Sequence, residues 1–401
     1  MRYDSNSNVI VSRAASASAL QVLANPKYAS GESFIFPSFQ RWETAIQEPV
    51  YGRDCDLAAM YDFIRPGLRE VRFTPGGASF GDGLKVAQAF RLVGERCRNL
   101  RSFSIWLRDL PQGKFAEALE AIAELPLLES FQLSPGALPT GILKALSRLN
   151  NFKILNTASL EEADGITPFD MGSFPRLETL KIDHLPLKTS MLLEGHHFRP
   201  QSLRVIEIGS REKEGFRFMM DTIIASRATI QDISIRSNQN LNFAVLQPIS
   251  TFSRLQYLQL YGVKYLECSD AEMELILRGV PELRRWATRS LPSPSRNMPS
   301  LITLQHLRHH CPKIESFCMT LDASEVPPTP INITSTTSTR RKIILDLWLS
   351  ILNNPEVIAR WIEAWAAGCY RLNLIWLDSP AGAGWKRVHT QLRDSGCILT
   401  Q

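Results

Sequence analysis

An α/β solenoid, with short parallel strands on its concave face and helical return segments on its convex face, is the fold class that three observations predict. An apolar spacing, LxxLxL, recurs along most of the 401-residue chain. Its beat is nearly even, and the segments between copies carry helical periodicity and turn residues. The clearest copy is Phe252 to Tyr261, FSRLQYLQLY, with Leu255, Leu258 and Leu260 in the apolar slots. Upstream copies are Leu68/Val71/Phe73, Leu100/Phe103/Ile105, Leu128/Phe131/Leu133, Phe152/Leu155/Thr157, Leu177/Leu180/Ile182, Leu203/Ile206/Ile208 and Ile230/Ile233/Ile235. Downstream copies are Leu283/Trp286/Thr288 and Ile314/Phe317/Met319. The mean step is about 27 residues, inside the window of a leucine-rich repeat.

In this spacing the last two slots lie two residues apart, so they point to one face of a short strand, while the first slot sits at the turn into it. A single such strand cannot bury its face; stacked copies can, each pairing with the next in a parallel sheet. The returns read as helices. Gly83 to Val93 places Leu84, Ala87, Phe90 and Leu92 or Val93 near helical spacing, and Phe115 to Leu125 does so with Leu119, Ile122 and Leu125. A doubly wound sheet also alternates strand and helix, but it needs neither a constant signature nor a constant period.

In chain order, residues 1–18 are a polar, Ser/Ala-rich lead expected to be flexible. Residues 19–320 are expected to form the right-handed solenoid, opening on a degenerate repeat. In that repeat Ala19 to Asn25 ends a helix, Ser33 to Phe36 is a strand and Phe39 to Gln47 is an amphipathic helical turn. Asp56 to Ile64 reads as a further helix. Leu291–Ser300 and the Ser/Thr/Pro-rich stretch 321–341 leave the same end of neighbouring strands, so they should lie side by side on one rim, the second being mobile. In residues 342–401 a strand is expected over Ile343–Leu349, then a helix begun by Asn354-Pro355 with Val357, Ile358, Trp361, Ile362 and Trp365 on one face, then a strand over Arg371–Leu377. Five of eight tryptophans (Trp348, Trp361, Trp365, Trp376, Trp385) fall here, which fits a C-terminal cap over the open end of the core.

Composition narrows the function. The net charge of +5 is small for this length and only Arg340, Arg341 and Lys342 form a basic run, so nucleic-acid binding has no compositional support. The seven cysteines are odd in number, scattered and free of CxxC spacing, which suits a reducing compartment, cytoplasmic or nuclear. Val9, Ile10 and Val11 are too short for the apolar region of a secretory signal, and no apolar run approaches a membrane span.

Chemistry-bearing motifs are weak throughout. The glycine-rich Thr74–Lys85 lacks the Gly-Lys-Ser/Thr of a phosphate loop and reads as a strand-to-helix turn. His306 and His310 stand four apart, a helical ligand spacing, beside His309 and Cys311. Leu301, Leu304, Leu307 and Cys311 form the apolar face of that helix, however, which turns the three histidines toward solvent. Cys311 holds the same pre-strand slot as Cys97. No catalytic motif is recognisable, and the expectation is a non-enzymatic chain with no metal and no cofactor.

Ile64 to Phe73, IRPGLREVRF, followed by a glycine turn, then Arg96-Cys97-Arg98-Asn99-Leu100-Arg101 and His310-Cys311-Pro312-Lys313-Ile314-Glu315, resembles phrases of the fungal F-box/leucine-rich-repeat proteins. The resemblance covers roughly residues 20–320. It implies a repeat surface that holds target proteins, coupled in that family to an N-terminal F-box that docks the Skp adaptor of a cullin ubiquitin ligase. Residues 1–35 contain neither the Leu-Pro-x-Glu-hydrophobic phrase that opens an F-box nor room for one, so the recognition module is what carries over. Two readings stay open: the target-recognition part of an F-box-like ligase adaptor, and a free-standing scaffold or regulator.

Positions that alternate with the buried slots face solvent on the strand side. One block of them, Arg236, Tyr257, Tyr261, Arg285 and Arg289, comes from three consecutive strands. Tyr and Arg combine a large contact area with polar handles, and the arginines favour an acidic or phosphorylated partner segment. These five are the candidate partner-binding residues.

Overall fold

The computed structural model describes residues 2–3, 9–11, 41–46, 64, 66–75, 83–106, 114–161, 169, 172–186, 198, 200–210, 220, 223–224, 226–293, 297–328, 341–347, 350–367, 370–375 and 382–397. The chain divides into two units, Met1–Leu203 and Arg204–Gln401. In both, the strand repeats as the apolar spacing dictates, giving the leucine-rich-repeat type of α/β architecture. The stretches Ala19–Asn25 and Ser33–Phe36, and most of Asp56–Ile64, lie outside the described residues, as does the centre of Thr74–Lys85.

In the first unit, β1 (Arg2–Tyr3) pairs antiparallel with β2 (Val9–Val11), and parallel pairing then runs through β3 (Arg41–Ile46) to β4 (Glu70–Pro75). The described residues of the 1–18 lead, expected to be flexible, are thus strand. The segment expected as a helical turn over Phe39–Gln47 is a strand as well. Its reason is register: Arg41 stands opposite Glu70 and Trp42 opposite Val71, so the segment supplies the strand of a repeat one step upstream. Next come β5 (Ser102–Trp106), β6 (Ser130–Leu138), β7 (Ile154–Leu160) and β8 (Thr179–His184), all parallel. Val71, Phe103, Phe131, Leu155 and Leu180 align across five strands, and all are buried. The returns include α1 (Gly83–Arg96), α2 (Lys114–Ala123) and α3 (Thr140–Ser147). Buried Ala87, Phe90 and Val93 keep the helical spacing read from the sequence. A Cβ at Gly94 would lie 2.8 Å from the Ala121 Cβ, so the missing side chain is what lets α1 and α2 close.

In the second unit the strands are β9 (Val205–Ser210), β10 (Asp232–Ser237), β12 (Tyr257–Tyr261), β14 (Arg285–Thr288), β15 (Ser316–Met319), β17 (Arg341–Asp346) and β19 (Tyr370–Ile375), again parallel. Ile206, Ile233, Leu258, Trp286, Phe317, Leu345 and Leu374 form one buried row. Between these strands lie two-residue strands: β11 (Leu241–Asn242) beside β13 (Leu266–Glu267), and β16 (Asp322–Ala323) beside β18 (Ile351–Leu352). The helices are α4 (Phe243–Leu246), α5 (Asp270–Arg278), α6 (Ile302–His310), α7 (Pro355–Ala366) and α8 (Gly382–Asp394). Ser300 bridges to Asp322, which places the end of one expected rim segment beside the start of the other; residues 329–340 of the second lie outside the described residues.

Within each unit, consecutive coils are joined by a recurrent backbone device. The carbonyl one residue after the first apolar slot accepts two N–H groups from the following coil: Arg204 from Gln231 and Asp232, Gln231 from Gln256 and Tyr257, Gln256 from Arg284 and Arg285, and Arg284 from Glu315 and Ser316. Arg69, Arg101, Glu129 and Lys153 do the same in the first unit. The backbone donors at each strand entry are thereby satisfied before the ladder proper begins.

The polar occupants of apolar slots are also satisfied. Thr288 is fully buried and accepts from the Trp286 indole at 2.8 Å, and the Thr157 hydroxyl donates to the Ser159 carbonyl at 2.9 Å. The C-terminal tryptophans follow the same rule. Trp365 donates to the Leu304 carbonyl at 2.8 Å, Trp361 to that of Pro328 at 3.2 Å and Trp385 to that of Ser350 at 3.1 Å. Trp348 and Trp376 lie outside the described residues.

Candidate functional site

The solvent face of β10, β12 and β14 gathers four of the five residues selected from the sequence, and Arg289 follows β14 directly. Alternation along each strand buries Ile233, Ile235, Leu258, Leu260 and Trp286 and turns the intervening side chains outward. Register then fixes the rows. Asp232 pairs with Tyr257 and Tyr257 with Arg285; Arg236 pairs with Tyr261. Adjacent strands lie about 4.8 Å apart, so each of these arginines stands beside a tyrosine. Among the described residues, the two tyrosines are large hydrophobic side chains that reach the surface, at 36% and 37% exposure.

The electrostatics separate the three arginines. Neither Arg236 nor Arg285 makes an ion pair among the described residues. Arg289 does: its Nη2 donates to Asp346 Oδ2 at 3.2 Å. Its charge is therefore matched by a carboxylate two strands away, and among the described residues the block offers two uncompensated cations rather than three. The Cys318 thiol lies against the same pair, and burial first, with the Asp346 charge second, pushes it up to about 12. The Tyr261 hydroxyl donates to the Gln259 side chain, which holds that ring against the strand.

A second cluster departs from the sequence reading. Glu274 on α5 meets His310 on α6 at 3.3 Å and His306 at 3.7 Å. These two histidines, expected to face solvent, are partly buried, His310 with only 14% of its side chain exposed. The reason is packing between neighbouring returns: α6 buries Thr303, Leu304, Leu307 and Arg308, which rolls His306 and His310 toward α5. Burial lowers the His310 imidazole below its ordinary value, although Glu274 opposes that shift. Glu274 is held low first by its hydrogen bond from Arg278 and then by that from His310. The sequence signal that could have found the contact is the period itself, since Glu274 occupies the helix one repeat before the histidines.

Thiolate chemistry has little support at three further buried cysteines. Burial pushes Cys97 up to about 11 and Cys268 and Cys311 up to about 12, so each stays protonated at neutral pH. Among the described residues, no helix is long and apolar enough to cross a membrane.

No protein-family model matches the sequence, and no curated protein matches it. Among solved structures, the chain is similar to one from the crystal structure of the Rad7 and Elc1 complex in yeast, with 13% identity and a TM-score of 0.44. That match covers 88% of this chain and 81% of the other.

Proposed function

We propose that the chain is a non-enzymatic protein-interaction module that binds an acidic or phosphorylated segment of a partner protein across β10, β12 and β14. The observation that carries this reading is the ladder register, which sets Tyr257 beside Arg285 and Arg236 beside Tyr261 while leaving both arginines without a described counter-charge. An exposed aromatic next to such a guanidinium supplies contact area, bidentate hydrogen bonding and charge at one place. Arg289 belongs to the rim of this site, where its pairing with Asp346 gives it a supporting part. Affinity capture with the full chain and with the Tyr257→Ala/Tyr261→Ala/Arg285→Ala variant tests the reading. Partners retained by the first and lost from the second support it; the same partners on both would remove it.

Within this reading the chain serves as the target-recognition part of an F-box-like ubiquitin-ligase adaptor, in the cytoplasm or nucleus. The support is the set of sequence phrases around Leu68, Cys97 and Cys311 that resemble that family. A free-standing leucine-rich-repeat scaffold or regulator is the alternative. Co-purification of the Skp adaptor with the chain separates them, and its absence at cellular concentrations favours the scaffold.

A further inference from the structure

The geometry points to a divalent cation site of the zinc class, made by Glu274, His306 and His310, that fastens the return helices of two consecutive repeats. This inference is independent of the partner-binding face. The ligating atoms of the three residues all lie within 4.8 Å of one another. His306 Nδ1 stands 3.7 Å and His310 Nε2 3.3 Å from the Glu274 carboxylate. Charge-assisted hydrogen bonds are shorter, about 2.7–2.9 Å. A tetrahedral zinc ion with bonds of about 2.0–2.1 Å sets its ligand atoms roughly 3.3–3.5 Å apart, close to the spacings Glu274 keeps through Oε1 to His310 and through Oε2 to His306. Small side-chain rotations complete the triangle. The donors are neutral imidazole and carboxylate, the set that suits a borderline cation, and water would complete the shell.

The site is also positioned by its surroundings. One turn before Glu274, the Asp270 carboxylate accepts from the Ser300 N–H at 2.9 Å, the Ser300 hydroxyl at 2.6 Å and the Thr303 hydroxyl at 2.7 Å. Those bonds fix α5 against the start of α6 and set the register in which Glu274 meets both histidines. The four-residue spacing stacks the His306 and His310 rings, their centroids 6.4 Å apart at 16°. Arg278 donates at 2.9 Å to Glu274 Oε1, the oxygen 3.3 Å from His310 Nε2, and so competes with the ion for it, whereas Oε2 faces His306 Nδ1 at 3.7 Å.

The test is isothermal titration of the full chain with zinc chloride, with cobalt chloride as a spectroscopic probe of tetrahedral coordination. One equivalent should bind, the cobalt complex should show intense visible absorption, and zinc should raise the melting temperature. His306→Ala and His310→Ala should each weaken zinc by about 100-fold, at least the loss expected on removing an outer-shell partner. Arg278→Met should tighten it by freeing the carboxylate. Should either alanine variant fail to fold, His306→Gln and His310→Gln take its place. Absence of saturable binding by the native chain would overturn the proposal. So would unchanged affinity in a folded Glu274→Gln/His306→Gln/His310→Gln variant, which would assign the ion to other groups.

Discussion

Arg289 and Asp346 form an ion pair at 3.2 Å across 57 positions of sequence, and the two partners sit in different environments. The arginine is 56% exposed; the aspartate is 7% exposed, and its Oδ1 is buried without a hydrogen-bond partner among the described residues. Removing the arginine therefore strands a carboxylate that cannot turn to water. Arg289→Ala should destabilise the chain by about 1–3 kcal/mol, the cost of an unsatisfied buried acceptor. Arg285→Ala, at a neighbouring exposed position without a described ion pair, should stay within about 0.5 kcal/mol of the native chain. Urea denaturation of the two variants measures the difference, and equal midpoints would show that the pair contributes nothing.

Asp270 makes a larger prediction because its three donors converge from one place. Thr303 is fully buried, and with Asp270→Ala its hydroxyl and the Ser300 N–H lose their acceptor together. A loss of about 2–3 kcal/mol is expected, measured by chemical denaturation. Asp270→Asn keeps an acceptor oxygen and should recover part of it.

Two glycines should respond to alanine in opposite directions. A Cβ at Gly279 would lie 1.8 Å from the Ser250 carbonyl oxygen, with the Ser250 Cα and carbonyl carbon at 2.5 Å. Backbone cannot step aside as a flexible side chain can, so Gly279→Ala should cost about 3 kcal/mol, near the upper end for overpacking. Gly141 lies in the first turn of α3, and a Cβ there meets nothing closer than the Glu120 Oε1 at 3.6 Å. Gly141→Ala should stabilise by about 0.5–1 kcal/mol through helix propensity and a less flexible unfolded chain. Thermal melts of the pair read both signs.

Glu129 links three consecutive coils, accepting from Lys153 at 2.8 Å and from Arg101 at 2.9 Å. The Lys153 hydrogen bond first, helped by the charges of Lys153 and Arg101, holds its carboxyl below the ordinary value of 4.5. A folded value below the unfolded one means that the bridge stabilises fully above the unfolded carboxylate range and fades as pH falls through the folded value. Glu129→Gln should therefore cost about 0.5–1 kcal/mol at pH 7, typical of a surface pair in a network. The gap between variant and native chain should be smaller in acid, below the folded value, than at pH 7. Denaturation midpoints at pH 7 and in acid check it, and a gap that persists undiminished in acid would assign the loss to packing.

The apolar slots are legible in the sequence because burial imposes them at every coil: Leu255, Leu258 and Leu260 are fully buried, as are their counterparts from Leu100 to Ile314 within about one per cent. The helix after Asn354 is legible for the same reason together with its cap, Asn354 accepting from the Val357 N–H at 3.3 Å. What periodicity does not reveal lacks either length or locality. The paired strands at Leu241–Asn242 and Leu266–Glu267 are two residues long, too short to carry an alternation. Arg41–Ile46 presents only Trp42, Ala45 and Ile46 as apolar residues, a pattern that helix and strand share. The meeting of Glu274 with His306 and His310 depends on the roll of α6 against α5, which the pattern of either helix alone does not encode. On the face of β10, β12 and β14 the residue types are visible in the sequence, whereas the capture of Arg289 by Asp346 requires the register of β15 and β17, in which Cys318 stands opposite Asp346.

That capture bears on how the face should respond to charge. In the proposed reading, with Arg289 compensated, Arg236 and Arg285 carry the attraction for an acidic segment; they stand on β10 and β14 with Tyr257 and Tyr261 on β12 between them. Reversing Arg285 to Glu places a carboxylate beside Tyr257 and should weaken capture of an acidic partner by at least about tenfold, an energetic change of about 1.4 kcal/mol. Reversing Arg289 should do less to affinity and more to stability, because it sets two carboxylates against each other at Asp346. Exposed charges are screened beyond about 10 Å at 0.1 M salt, so native capture should fall as salt rises, and the Arg236→Ala/Arg285→Ala variant should lose most of that dependence. The tyrosine contribution should persist in salt, since ring burial is apolar. Surface plasmon resonance on a captured partner across a salt series separates the two parts; identical salt slopes for native chain and double variant would sink the assignment of these arginines to recognition.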